Sequence, residues 1–402
     1  MKVAIVGGGP SGLYLAILLK RRRPAWHVGI VEQNQPGSTF GFGVVLADSG
    51  LSRIRDADAE VYEKLIAKMD FHGIQTIDLR EHPIDLHHPA KGGAIARIDM
   101  LHVLQEIALG AGVNIHFGQR INHPDELEKF GLGDADVIVG ADGVNSVVRA
   151  AHEQEFGTTK VFLSNRFAWY GTRRVFEKSA LVFRKWKGGY FVAHYYPYSS
   201  SMSTFVAECD QATWISFNME AMSEQARQEL FEEIYAPELA GEKLISNNSV
   251  WRQFPVIRNQ SWTAGNCVVI GDAQTSAHPT IGSGTRIALE DSVALAEALT
   301  SDTPAGQPEP TPVQRLQQFA AVRGPAKDKL LDASRKSYLW YENIGDWMER
   351  YTPLEFIYAF MTRTGRMTDQ RLSEQYPDLF AQWKSAGVVK SGAAREESGH
   401  TA

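Results

Sequence analysis

Three stretches of this 402-residue chain combine residue types and spacings that suit chemistry. The first is Gly7-x-Gly9-x-x-Gly12, with Glu32 twenty residues beyond Gly12. Glycines so placed allow a tight turn (Gly7), approach of bare backbone to a pyrophosphate (Gly9) and close packing of helix on strand (Gly12). A carboxylate at that distance reaches ribose hydroxyls. The second is "GDAQTSAHPTIGSGT", 271–285, where Asp272 follows an apolar run and Gly282 and Gly284 open toward a helix. An acid there suits the hydroxyls of a polyol, and bare amides at a helix N-terminus suit an electron-rich ring edge. The third is "YFVAHYYPY", whose alternation puts His194, Tyr196 and Tyr198 on one strand face. An imidazole there can hydrogen-bond or deprotonate a phenol.

These residues need elements to hold them. "KVAIV" is a continuous apolar run, as expected of a central parallel strand. "LYLAILLKRRRP" has helical spacing up to Pro24, and "HVGIVE" is a second strand closing on Glu32. Far along the chain "NCVVI" and "RIALEDSVALAEALT" flank the second glycine turn as strand and helix. Between them "DADVIVGADGVNSVVR", 134–149, gives a third buried strand ending in Gly140-Ala141-Asp142-Gly143. A nicotinamide dinucleotide alone leaves residues 266–291 without a purpose. FAD supplies one, since its adenosine, pyrophosphate, ribityl chain and flavin ring need contacts at both ends. The two turns are expected to grip opposite halves of a single FAD.

The ordered set GxGxxG with Glu32, then "DxxxGADGxxSxxR", then "GDAxxxxxPxxGxGxxxAxED" resembles the para-hydroxybenzoate-hydroxylase-like flavoprotein monooxygenases, the FAD-dependent aromatic hydroxylases. The resemblance implies that Gly7, Gly9, Ser11 and Gly12 hold the pyrophosphate and Glu32 the adenosine ribose. It also implies that Gly43 and Val44 of "GFGVVL" lie along the flavin and that Arg97 of "ARIDMLHVL" touches the cofactor. Asp142 then contacts FAD and the nicotinamide nucleotide, and Asp272 the ribityl chain. Pro279, Gly282, Gly284 and Thr285 border the ring where oxygen reacts. One departure stands out: Gln274-Thr275 replaces the Ala-His of the family's "GDAAH", and the nearest histidine is His278. The implied reaction is hydroxylation of an activated aromatic ring with NADH or NADPH and O2, through an oxygen adduct at the flavin C4a carbon.

The implied fold is α/β, a Rossmann-like (GR2-type) FAD-binding domain with an antiparallel β-sheet substrate domain and C-terminal helices. The FAD-binding domain is discontinuous, 1–70, 90–155 and 262–300, and the sheet domain takes 71–89 and 156–261. A helical region follows at 301–390, after the Pro-rich "DTPAGQPEPTP", and 391–402 reads as a flexible tail.

On the substrate side, "WYGT", "LVFR" and "FVAHYYPYSSSMSTFVAEC" narrow the resemblance to salicylyl-CoA 5-hydroxylases, aminobenzoyl-CoA monooxygenases and the tryptophan hydroxylase of violacein biosynthesis. Catalytic roles are expected for His194, Tyr196 and Pro279, and substrate contacts for Trp169, Arg173, Arg184, His194 and Tyr198. Arg166, Arg173, Arg174, Arg184, Lys185 and Lys187 can either receive the phosphates of a coenzyme A thioester or form a solvated sheet edge. Trp169, Trp251 and Tyr195 are either cavity wall or core. An acyl-CoA is the preferred substrate, with tryptophan or another indole as the alternative. An FAD-holding regulatory protein without oxygenase activity is the reading from another class.

The bulk numbers agree with a globular enzyme of small molecules. A net charge of −6 speaks against a nucleic-acid partner, and no apolar run reaches the ~18–20 residues of a membrane span. Cys209 and Cys267 lie in apolar runs and read as buried thiols of a cytoplasmic protein, monomeric or homodimeric. No histidine or cysteine spacing matches a metal site.

Overall fold

The computed structural model describes residues 1–389 apart from 40, 248 and 283; the expected tail, 391–402, lies outside the described residues. Two sheets organise the chain. The first has six strands in the order Thr263–Ala264, Cys267–Val269, Val137–Gly140, Lys2–Val6, His27–Val31, Asn114–His116. Its strands run parallel except at the Thr263–Ala264 edge. Lys2–Val6 is central, with Val3 opposite both Val28 and Val137, which is why its residues are apolar on both sides. Val3 and Ile5 pack under the helices Pro10–Arg22, Arg97–Gly110 and Gly284–Thr300. Ala4 and Val6 face the other layer, with Leu127, Val148 and Phe156. Period-two alternation thus feeds two cores from one strand.

The second sheet has nine strands. Along its path they are Leu244–Ser246, Thr158–Thr172, Ser203–Cys209, Gly189–Pro197, Ser179–Trp186, Asp70–Leu79, Pro83–Ala96 and Gly43–Leu46, and Arg252–Asn259 also pairs with Thr158–Thr172. The sheet is antiparallel as expected, with one exception: Asp70–Leu79 and Ser179–Trp186 pair in parallel. Its membership also departs from the expected boundaries. Residues 43–46 and 93–96, read from sequence as FAD-domain segments, form a ladder of this sheet, with Gly43 opposite Ala96 and Val44 opposite Ile95. The apolar residues of "GFGVVL" cannot show which sheet completes the strand's backbone hydrogen bonds.

The two faces of the large sheet have different covers. Phe191, Ala193, Phe205 and Ala207 pack under the helices Gln211–Ser216, Glu224–Ile234 and Ala236–Leu239. Leu181, Phe183 and Val192 pack under the C-terminal helices, with Tyr341, Phe356 and Trp383. The long helix Pro312–Tyr341 begins with a capping box, the Thr311 side chain accepting from Gln314 N. It is pinned to the first domain by ion pairs from Lys327 and Arg323 to the fully buried Asp291, at 2.6 and 2.9 Å. Asp291 also accepts from Gly271 N at 3.1 Å, so charge in the core is hydrogen-bonded as well as paired.

Candidate flavin site and active-site face

The first glycine turn is built around contacts that exclude side chains. Gly7 has φ +104°, and a Cβ there would lie 2.5 Å from the Ala141 carbonyl oxygen. A Cβ on Gly12 would run into the Gly7 carbonyl. Gly9 is different: nothing lies within 4 Å of its missing Cβ, and it stands at the N-cap of the 13-residue helix Pro10–Arg22 without a side-chain cap. Space and unsatisfied amide donors therefore coincide at Gly9, as a pyrophosphate requires. Glu32 closes this corner. Its Oε2 accepts from Gly8 N at 2.6 Å and its Oε1 from Asn34 N at 2.7 Å, which fixes the carboxylate and leaves lone pairs for a diol. Gly9, Glu32, Asn34, Ser38 and Arg97 line the cleft above.

The second glycine turn arrives at the same place. Gly271 has φ +58°, and its missing Cβ would lie 3.2 Å from Ser11 Oγ. Ser292 Oγ donates to the Ser11 carbonyl at 2.8 Å. Arg149, the last residue of the "DxxxGADGxxSxxR" motif, is buried and donates to the Ala273 carbonyl at 2.7 Å. Arg97 joins the two halves: it lines the first cleft, and its charge opposes the burial that raises the Asp272 pKa. Asp272 keeps an open face although protein crowds its carboxylate enough to shift it. Asp142 Oδ2 accepts from Val147 N at 2.7 Å, whereas its buried Oδ1 has no partner, and burial raises its pKa. Bare backbone at Gly9, nothing within 4 Å of the missing Cβ of Gly282 (φ +56°), an orphaned Asp142 oxygen and the exposed Asp272 give a run of polar groups and free space along the two glycine turns that fits FAD.

The large sheet presents its ring-lined face to this run. Gly43 N donates to Thr204 Oγ1 and the Tyr196 hydroxyl donates to the Gly43 carbonyl, both at 2.8 Å. A Cβ on Gly43 would meet the Tyr198 ring at 2.7 Å, and Val44 beside it is half-buried. His194 lies on the same face, 5.2 Å from the Tyr196 ring, with Leu181 and Val206 as cross-strand neighbours. Trp169 lies opposite Val206 one strand further. Burial pushes the His194 pKa down to about 4, so its imidazole is neutral at ordinary pH. Burial pushes Tyr196 and Tyr198 up to about 12. The Tyr196 hydroxyl, expected to be catalytic, is engaged with the Gly43 carbonyl and ties its strand to that of Gly43.

Arg184 requires a correction. It sits opposite Phe191, on the face turned away from the flavin run, and donates to Glu238 at 2.7 Å and to the Ile234 carbonyl at 2.9 Å. Register between strands, invisible in one sequence, decides its side. Tyr195, stacked on Phe176 at 3.9 Å, and Trp251, donating to the Tyr170 hydroxyl at 2.9 Å, share that far face and are core. Arg173 and Arg174 are exposed beyond the end of strand Thr158–Thr172.

The turn Pro279–Ile281 has a support that the motifs do not show. His278 caps it, accepting from Thr280 N, and its pKa is pushed down to about 3 by burial and by Arg363. Arg363, 83 residues further on, donates to the Thr280 carbonyl and to Ser337 Oγ, both at 2.9 Å. Ser337 Oγ in turn donates to Thr280 Oγ1 at 2.9 Å. Gln274 and Thr275, the departure from the family pattern, are buried and bond to each other at 2.6 Å. Gly284 and Thr285 open the helix that follows.

Residues 1–333 match the family model described as FAD binding domain. The chain belongs to this family. It is an FAD-dependent monooxygenase of the aromatic-hydroxylase type. Among its relatives is a salicyloyl-CoA 5-hydroxylase from Streptomyces sp., 35% identical over 90% of this chain and 70% of the relative. A 3-hydroxy-4-methyl-anthranilyl-[aryl-carrier protein] 5-monooxygenase from Streptosporangium sibiricum is 31% identical, covering 86% and 90%. A protodeoxyviolaceinate monooxygenase from Chromobacterium violaceum is 30% identical, covering 90% and 94%. The crystallised 2-methyl-3-hydroxypyridine-5-carboxylic acid oxygenase shares the fold of this monooxygenase with a TM-score of 0.69 at 17% identity, over 94% of this chain and 97% of that one.

Within this monooxygenase, sequence reasoning missed Arg149, Arg363 and Ser337 as holders of the two flavin-side turns. Arg149 carried a signal, as the terminal arginine of its motif; Ser337 lies in a helix and Arg363 caps another, neither with one. Among the described residues no helix is long and apolar enough to cross a membrane, and no group of three His, Cys, Asp or Glu side chains is placed for a metal ion.

Proposed function

We propose that this monooxygenase hydroxylates an activated aromatic ring carried as an acyl-CoA thioester, salicylyl-CoA at ring position 5 first, with NADH or NADPH as electron donor. One observation carries the reading: a neutral, half-buried His194 stands on the sheet face that Tyr196 pins to the Gly43 strand. FAD supplies the activation of O2, and the overall exchange converts ring C–H, O2, NAD(P)H and a proton into ring C–OH, NAD(P)⁺ and water.

The chain's own residues do the rest. Gly9, Glu32 and Asp272 bind the cofactor, and Tyr196 and Thr204 set the strand at Gly43. His194 accepts a hydrogen bond from a substrate hydroxyl, leaving more electron density on the ring that is attacked. Trp169 and Val206 wall the space and exclude water from it. No nucleophilic side chain is required. The name of the Streptomyces relative supports a hydroxylated benzoyl-CoA. The Chromobacterium relative supports an indole-derived alternative, although its name points to protodeoxyviolaceinate rather than tryptophan.

The test is mass spectrometry of products from the FAD-loaded protein with O2, each nicotinamide coenzyme, and salicylyl-CoA, free salicylate or tryptophan. One oxygen gained by salicylyl-CoA is the expected result. Hydroxylation of tryptophan with no response to any acyl-CoA would overturn it.

A further inference from the structure

The basic residues that the sequence offers for a phosphorylated substrate are mostly engaged elsewhere. Arg184 pairs with Glu238 at 2.7 Å, Lys185 with Glu349 at 2.8 Å and Lys187 with Glu233 at 3.1 Å. Arg166 donates to Gln211 at 2.8 Å and lies over the Trp214 ring. A different group of arginines lines a cavity of about 280 Å³ on the first domain. Arg22, Arg53, Arg286 and Arg323 approach it from four helices, and Leu46 and Ile54 give it an apolar wall.

The charge pairing is loose at the rim and tight beneath it. Arg53 lies 3.5 Å from Glu290 and Arg22 lies 4.0 Å from Glu297, whereas Arg286, 3.7 Å from Glu290, also donates to Ser49 Oγ at 3.3 Å and Arg323 is paired with Asp291. Glu290 Oε1 and Arg323 Nη2 are both buried without a hydrogen bond, although the second is 2.9 Å from Glu290 Oε2. Three guanidinium groups therefore crowd one buried carboxylate, and the neighbouring Arg366 adds its charge. Asp56 and Glu297 also sit on the rim. Position gives the cavity a use. Leu46 is on the same strand as Gly43, and Arg286 is two residues into the helix that starts at Gly284, so the cavity adjoins the flavin-side run.

We propose that this arginine-lined cavity is a subsite for the phosphate-bearing nucleotide end of a co-substrate. Guanidinium groups bind phosphate through paired, charge-assisted hydrogen bonds. The volume admits a phosphate and part of a nucleoside, not a whole dinucleotide. Coenzyme A and NAD(P)H both carry such an end, so the inference rests on the proposed use of at least one of them.

The experiment is calorimetric titration of FAD-loaded wild type, R53Q and E297Q with coenzyme A, NADH, NADPH and inorganic phosphate, beside steady-state KM values for acyl-CoA and coenzyme. Arg53 and Glu297 are solvent-facing, with side chains 62% and 63% exposed. The two variants should act with opposite sign. R53Q weakens one nucleotide about tenfold and E297Q tightens the same one, with both effects fading in high salt. A response confined to coenzyme A assigns the subsite to the thioester, and one confined to NADH or NADPH assigns it to the reductant. Unchanged affinity for all probes in both variants, or a response to inorganic phosphate alone, overturns the inference. If acyl-CoA is hydroxylated by wild type and R53Q with equal KM values for both co-substrates, the subsite fails while the function stands. If wild type turns over no acyl-CoA, it is the functional reading that fails.

Discussion

Ser292 Oγ donates a 2.8 Å hydrogen bond to the carbonyl of Ser11, joining helices that follow the two glycine turns across 281 residues of sequence. Both serines are buried, and the Gly271 backbone lies against Ser11. Two distant corners of the chain are thereby made into one receptacle, and the receptacle decides what the individual glycines are for.

The glycines of the first turn should separate into two classes. Gly7→Ala and Gly12→Ala push a methyl into backbone and should destabilise the fold by more than ~2 kcal/mol in urea denaturation. Gly9→Ser meets open space at φ −74°, where serine is a good N-cap. The apoprotein should unfold at the wild-type urea concentration or above it, while FAD affinity falls at least tenfold, or ~1.4 kcal/mol. Equal FAD affinity in wild type and Gly9→Ser would count against a pyrophosphate at this helix end.

Tyr196→Phe removes one buried hydrogen bond, to the Gly43 carbonyl, and should cost about 1 kcal/mol of stability. Because that bond sets the strand beside the flavin, the variant should also consume more NAD(P)H per product and release the difference as hydrogen peroxide. A proton-transfer role would instead lower the rate with the coupling intact. Measuring product and peroxide together distinguishes them.

Two buried groups tilt stability with pH in opposite directions. His194 titrates at 6.5 when free and at about 4 in the fold, so its contribution is complete above pH 6.5 and is lost as pH falls toward 4. Glu208, which accepts from Asn165 Nδ2 at 3.0 Å, is pushed by burial from 4.5 to about 7. Its folded form holds the proton longer, so stability falls as pH rises from 4.5 to 7. Because the two windows overlap and their slopes oppose, H194Q should leave a urea midpoint that falls more steeply than wild type as pH rises through that range, and E208Q one that rises relative to wild type. A slope unchanged from wild type in both variants would contradict the assignment.

Arg363→Gln cuts the link from the C-terminal helices to the Thr280 carbonyl. The FAD-loaded variant should show a shifted visible flavin spectrum and lose coupling several-fold, with Arg363→Lys recovering only part, since lysine lacks the fork that reaches Thr280 and Ser337 together. A spectrum identical to wild type would remove Arg363 from the flavin's surroundings.

What the sequence made legible follows the physics. The glycine turns could be read because close backbone approach admits no substitute for glycine, and the His194 face could be read because a strand alternates with period two. Arg184 was misread because alternation gives two faces without saying which one meets the flavin; its partner, Glu238, sits on a four-residue helix with no motif. Gly43–Leu46 was misplaced because strand pairing is a property of two segments. Arg363 escaped because its ligands are a carbonyl and a serine, which leave no pattern in sequence.

The most direct test of the whole account is FAD titration of the apoprotein, followed by flavin fluorescence, for wild type, Gly9→Ser, Asp272→Asn and the double variant. One FAD should bind per chain, and each single change should weaken the same binding event, by at least tenfold for Gly9→Ser. Failure of the wild type to bind FAD, or binding indifferent to either substitution, would contradict the claim that the two glycine turns hold one cofactor.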